Sequence, residues 1–324
     1  MTRISTWIGA LLLAGPIALW LFLFRPFLHY PEPAALTCLD PNTGRTAPLG
    51  PPAEVYGLGL SYAGHIAESP GLYDPDAPPP VFRKRPHTVN TSYAVPYPSR
   101  EMLLRAAANV DEAHAAALDR SLPEVPPLLD YEVEIGLVVL EPIATASLQS
   151  PDFAPPVGFF VANDLTARIL IGMAPSFADT VDYLAEGKSL PGFLPVGDEM
   201  WIPARPAKDG WVCVRLTTEV NGQVRQSASS SDIILGPREI LLAVAETFGL
   251  EQFQPSDWVI TGTPPGVALQ TAGWMQRALA LVDPSAETKV GAMAGMAEEG
   301  EFLRPGDQVV VGAGFLGQKA TRVE

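Results

Sequence analysis

Cysteine is nearly absent: Cys38 and Cys213 are the only two in 324 residues. Two so widely spaced make neither a disulfide framework nor a thiolate zinc site, and they leave the redox compartment open. Histidine is scarce as well, with four in all and no pair at metal-ligand spacing. There is no Gly-rich phosphate loop and no internal repeat. Basic residues are outnumbered, 21 Lys and Arg against 36 Asp and Glu, for a net charge of −15. That balance argues against nucleic acid or anionic lipid as the main partner and suits a chain that binds cations. The length is that of a catalytic domain with a sizeable core.

Charge is also missing from Ile4 to Phe24 (ISTWIGALLLAGPIALWLFLF), which Arg3 and Arg25 bracket. The run matches the roughly 20 residues of a spanning helix, and Trp7 and Trp20 suit the two interfaces. A cleaved signal peptide is the alternative. The run exceeds the about 7–15 residues of a signal core, however, and no small-x-small site lies beside Phe24. The expectation is one membrane anchor over 1–30, with the amino terminus inside and the domain on the outer side by the positive-inside rule.

A Pro-rich linker is expected over 31–45, then a segment over 46–125 of short strands and turns. Its residues 100–119 (REMLLRAAANVDEAHAAALD) read as helix. From 126 to 324 strands predominate: VEIGLVVL, GFFVAN and WVCVRLTTEVNGQVRQ, the last with a hairpin signal at Asn221-Gly222. PREILLAVAETFGL reads as helix, WVITGT as a buried strand and RPGDQVVVGAGFLGQKATRV as a turn and closing hairpin. Residues 271–299 have no clear identity.

One strand poses a chemical problem. DYEVEIGLVV (130–139) is β-branched and apolar, yet carries Glu132 and Glu134. Alternate residues of a strand share a face, so the two carboxylates lie side by side and need something positive between them. Asp164, at the end of the apolar stretch GFFVAND, offers a third carboxylate. Three acids without sulfur or paired imidazole describe a hard-cation site suited to Mg²⁺ or Mn²⁺. The competing reading puts both Glu residues on the solvent face of an edge strand.

DYEVEIGLVV, VANDLTAR, KSLPGFLPVG, VNGQVRQSASSSDII, TGTPPGV and FLRPGD occur in an order that resembles the fumarylacetoacetate hydrolase (FAH) family. Upstream, GLGLSYAGHIAE is similar to that family's Gly-x-Asn-Tyr-x-x-His-x-x-Glu segment. The resemblance implies a β-rich α+β fold, an FAH-like rolled mixed β-sandwich with a few peripheral helices, here preceded by the transmembrane helix. It implies a homodimer that binds Mg²⁺ or Mn²⁺ and acts on 2-oxo acids by C–C hydrolysis, decarboxylation, isomerisation or hydration. Carried over by motif, Glu132, Glu134 and Asp164 are metal ligands. Lys188 is the active-site lysine, and His65 with Glu68 forms a proton-transfer dyad on a lid. Arg168 and Thr263 lie near the substrate's carboxylate and oxygens. An acylpyruvate-type hydrolase is the activity expected first, a decarboxylase or hydratase/isomerase second. A non-catalytic membrane-anchored binding paralogue is the reading from another class. The chain departs from the family pattern at Ser61 (usually Asn), Ile169 (often acidic), Asp198 (usually Pro) and in the extra stretches 100–125 and 271–299.

Overall fold

The structure is a computed structural model that describes residues 31–68, 78–176, 178–269, 285–299 and 301–324. The strands of its two large sheets, numbered along the chain, are β1 Arg45–Pro48, β2 Val55–Leu58, β3 Val81–Lys84, β4 Ala94–Val95, β5 Val133–Val139, β6 Val157–Asn163, β7 Glu199–Ile202, β8 Arg215–Val220, β9 Gln223–Ser229, β10 Trp258–Ile260, β11 Gln308–Ala313 and β12 Gln318–Val323. One sheet has the order β1-β7-β6-β5-β10-β2-β3 and the other β9-β8-β11-β12-β4. Pairing is antiparallel except at β10–β2 and β12–β4.

Strand β5 lies between β6 and β10, and all seven of its residues are buried. Its period of two divides the core. Val133, Ile135, Leu137 and Val139 join the main cluster with Leu216, Val309 and Val311 of the second sheet. Val138 faces the other way, with Phe160, Trp258, Ile260 and Phe82. Gly136 stands opposite Phe160, and a Cβ there would fall 2.1 Å from the ring, so the glycine makes room for the aromatic. The strand is interior and buried on both faces, and Glu132 and Glu134 are themselves buried, which excludes the edge-strand reading.

The Asn221-Gly222 signal is realised as the β8–β9 turn, with both residues at positive φ (52° and 78°). The string GAGFLG (312–317) has Gly-x-Gly-x-x-Gly spacing but forms the β11–β12 connection. No α-helix follows it, so it is not a dinucleotide fingerprint.

The helices that bear on the site are α1 Ala63–Glu68, α2 Arg100–Val110, α3 Glu112–Ser121, α4 Ile169–Met173, α5 Thr180–Gly187, α6 Pro237–Phe248 and α7 Ala286–Glu299. The expected helix over 100–119 is two helices. Asp111 leaves the helical region (φ −146°) and its carboxylate accepts from His114 N, so a local cap outweighs the propensity of the alanine-rich run. Both extra stretches converge on α4: His114 Nε2 lies 2.9 Å from Met173 O, and Lys289 Nζ bonds Ala174 O.

Three expectations change at the amino-terminal end. The transmembrane helix is withdrawn, and with it the anchored, outer-face localisation: no helix among the described residues is long and apolar enough to cross a membrane, and 1–30 itself lies outside them. The segment expected as a linker is tied into the fold, with Thr37 and Cys38 pairing Gly210 and Trp211 and Arg45 opening β1. Cys38 and Cys213 form a disulfide with Cα atoms 5.3 Å apart, across 175 residues of sequence. Separation along the chain says nothing of distance in a sheet. A crosslink closing so large a loop contributes about 2–4 kcal/mol.

Candidate metal and proton-transfer site

Register brings the acids together. Asn163 of β6 stands opposite Val133, and the ladder runs one step further, with Asp164 N donating to Glu132 O at 2.8 Å. Phe160, Ala162 and Asp164 alternate on one face of β6, Glu134 and Gly136 on the same side of β5, and Phe82 and Lys84 on β3. Glu132, Glu134 and Asp164 each offer an oxygen within 4.8 Å of the others, and all three are buried. Asn163 Oδ1 accepts from Glu132 N, which fixes the backbone at the start of the pair.

The cluster carries internal counter-ions. Lys188, just past α5, donates from Nζ to Glu132 Oε2 (2.8 Å), Asp164 Oδ2 (2.6 Å) and Thr166 Oγ1 (3.0 Å), and lies 5.4 Å from the Phe82 ring centre. Lys84 pairs with Asp164 Oδ1. Arg168 pairs through Nη2 with Glu132 (2.5 Å) and through Nε with Asp130 (2.8 Å). Four carboxylates (Asp130, Glu132, Glu134, Asp164) thus meet three fixed cations (Lys84, Arg168, Lys188), leaving one negative charge over.

That surplus falls on Glu134. Its Oε2 accepts from Gly262 N at 2.7 Å, while Oε1 is buried without a hydrogen-bond partner. Burial, and then the neighbouring Asp164 charge, push its carboxyl well above the usual range. Glu132 shows the reverse. Burial alone would raise it, but Arg168 and Lys188 outweigh that and hold it down to about 2. Burial lowers the Lys84 ammonium despite Asp164, whereas Asp164 and Glu132 overcome burial to raise Lys188.

His65 and Glu68 lie on α1, His65 Nδ1 3.5 Å from Glu68 Oε2. Both Glu68 oxygens accept from Gly266 N (2.9 and 3.0 Å), so α1 is docked on the loop that follows β10. His65 is buried, and the loop that donates Gly266 N to Glu68 also donates Gly262 N to Glu134, so one loop joins the dyad to the acids.

Arg168 and Thr263 make their contacts within the chain. Thr263 Oγ1 donates to Val133 O (3.2 Å) and accepts from Gln226 Nε2 (2.9 Å). Buried Gln226 also receives Val133 N and the Thr218 hydroxyl on Oε1, joining three strands to the post-β10 loop. Asp130 accepts Ala268 N and Leu269 N besides Arg168, so it pins the far end of that loop.

Lys84, Asp130, Thr166 and Gln226 were not anticipated from sequence. A signal existed for Lys84: in VFRK, Phe82 and Lys84 share a strand face, and a lysine on a buried face demands a carboxylate. The other three become legible only through register.

The pattern of the fumarylacetoacetate (FAA) hydrolase C-terminal family matches residues 54–324. The chain belongs to the FAH family. It is 26% identical over 234 residues to a 4-hydroxyphenylacetate degradation bifunctional isomerase/decarboxylase of Salmonella dublin, covering 70% of this chain and 44% of that protein. It is 28% identical over 225 residues to the oxaloacetate tautomerase YisK of Bacillus subtilis (strain 168), covering 68% and 62%. The chain therefore spans less than two thirds of either relative. A solved structure of fumarylpyruvate hydrolase from Pseudomonas aeruginosa, in complex with Mn²⁺ and pyruvate, superposes with a TM-score of 0.54 at 21% identity. That match covers 91% of this chain and 98% of the other, and it supports the α+β FAH-like fold.

Proposed function

We propose that this FAH-family chain is a divalent-metal-dependent enzyme that hydrolyses the C–C bond of acylpyruvate-type 2-oxo acids. The observation that carries the reading is the buried convergence of Glu132, Glu134 and Asp164 with one open carboxylate oxygen, beside the His65–Glu68 pair. Hard oxygen donors without sulfur suit Mg²⁺ or Mn²⁺. A carboxylate oxygen has two lone pairs, so Glu132 and Asp164 can keep their lysine contacts and still act as ligands. When bound, such an ion supplies Lewis-acid stabilisation of negative charge on an oxo acid's oxygens.

The chain's own groups do the rest. Glu68 orients His65 through Nδ1, which leaves Nε2 to take a proton from water as it adds to the distal carbonyl carbon. The C–C bond then breaks, pyruvate leaves as its enolate, and the imidazolium returns the proton to C3. Lys188 supplies fixed positive charge to the developing oxyanion. Arg168 and Thr263 serve through the loop that they and Asp130 hold, and α1 over that loop excludes water. Assembly as a homodimer belongs to the same reading.

A second reading has specific support. One relative is an isomerase/decarboxylase and the other an oxaloacetate tautomerase, and proton movement without attack by water would run either reaction in this site. Incubating the purified protein with an acylpyruvate and with oxaloacetate, each with Mn²⁺ or with EDTA, separates the two. Hydrolysis predicts Mn²⁺-dependent release of pyruvate and a free acid. Enol–keto interconversion or CO₂ release from oxaloacetate, with the acylpyruvate intact, favours the second reading. Turnover unaffected by EDTA would overturn both.

A further inference from the structure

We propose that Lys84 is the cation that assembles the acidic cluster as the chain folds, so that Glu132, Glu134 and Asp164 stand converged before any divalent ion arrives. The proposal rests on reading that cluster as a metal site. It assigns a positioning role to a residue that the proposed chemistry does not use.

Lys84 is completely buried, and so is its partner Asp164. The side chain ends the last turn of the pleat in β3, where Lys84 pairs with Val55. Its ammonium bonds Asp164 Oδ1 and also donates to Phe193 O at 3.2 Å. Phe193 lies in the loop after Lys188, so one ammonium ties together the end of β3, the end of β6 and the segment that delivers the other lysine. Asp164 divides its oxygens between the two lysines, Oδ1 to Lys84 and Oδ2 to Lys188. Lys188 answers two acids and a hydroxyl at once, whereas Lys84 contacts Asp164 alone among the carboxylates.

Three buried carboxylates within 4.8 Å repel one another, and desolvation strengthens that repulsion. A protein whose acids waited for an ion would carry this repulsion through folding. An ammonium fixed by sheet pairing removes part of it at once, because its position is set by β3 and not by the ligands. The ion and Lys84 then answer the same repulsion, and removing one increases the demand on the other.

The test uses the full chain as wild type, Lys84→Met and Lys84→Met/Asp164→Asn, with melting temperature read in EDTA and in saturating Mn²⁺. In EDTA, Lys84→Met is expected to melt roughly 10 °C lower, because it leaves a buried carboxylate unpaired. The double variant, with both charges gone, regains most of that loss. Saturating Mn²⁺ raises the melting temperature of Lys84→Met more than that of wild type, because bound ion replaces the missing charge. A lysine that merely fills space would not move this last quantity. An equal Mn²⁺-induced rise in both proteins, or a double variant no more stable in EDTA than the single one, overturns the proposal. If Lys84→Met does not fold without metal, folding rescued by Mn²⁺ or by Asp164→Asn supports it, and rescue by neither overturns it. Failure of wild type to bind Mn²⁺ sinks the metal reading instead, and the EDTA comparison still decides the role of Lys84.

Discussion

Replacing Glu134 with Gln abolishes tight Mn²⁺ binding and at the same time makes the metal-free protein more stable. The two effects have one cause. Glu134 is the carboxylate with no cation of its own, holding a buried Oε1 without a hydrogen-bond partner. In the absence of metal its charge is the costly one, and burial with the nearby Asp164 raises its pKa well above the 4.5 of a free glutamate. A glutamine keeps the shape, and its carbonyl oxygen can still accept from Gly262 N. Removing an unpaired buried charge is worth about 1–3 kcal/mol, or a rise in melting temperature of roughly 2–8 °C at this size. The pH dependence follows from linkage. Above about pH 4.5 the unfolded chain releases a proton that folded Glu134 retains, so metal-free stability falls as pH climbs from there towards the raised folded value. In Glu134→Gln that fall disappears. Metal affinity, by contrast, drops by roughly a hundredfold or more, because an amide oxygen replaces a charged ligand. Melting curves in EDTA across pH, with a calorimetric Mn²⁺ titration, read both effects. A variant less stable than wild type in EDTA would mean that Glu134 is paired by something other than an ion.

The second large effect concerns proton transfer. His65→Ala is expected to lower acylpyruvate turnover by roughly 10²–10⁴-fold, the range for a positioned general base, while Mn²⁺ affinity stays within about twofold. The separation is expected because His65 is not one of the three converging ligands. Glu68→Gln should fall between wild type and His65→Ala. It weakens the orientation of the imidazole, and the amide oxygen can still receive Gly266 N. Full turnover in His65→Ala would remove the dyad from the mechanism, and a parallel loss of metal affinity would place His65 in the metal site.

The sequence carried the local parts of this site well. The alternation in VEIGLVV, the acids it interrupts and the apolar run ending at Asp164 all follow from the period of a strand, and the structure puts them on adjacent strands in register. Asn221-Gly222 and helix α6 were equally legible, since turn chemistry and helical periodicity act over a few residues. What escaped was set by long-range pairing. Lys84 reaches Asp164 across 80 residues, Asp130 holds a loop 138 residues away and Cys38 meets Cys213 across 175. Composition holds no record of such partners. Arg168 and Thr263 show a further limit. A motif marks them as present, but only geometry reveals that their polar atoms are turned onto Asp130, Glu132 and Val133. At the amino-terminal end, hydropathy alone suggested a spanning helix, and no described helix has the length and apolar character to be one.

The most direct measurement is anomalous diffraction from crystals of the wild-type protein grown with Mn²⁺. The expected result is a single manganese peak between Glu132, Glu134 and Asp164, about 2.1 Å from one oxygen of each. A map with no peak there, and Glu134 Oε1 bonded to water in its place, would contradict it.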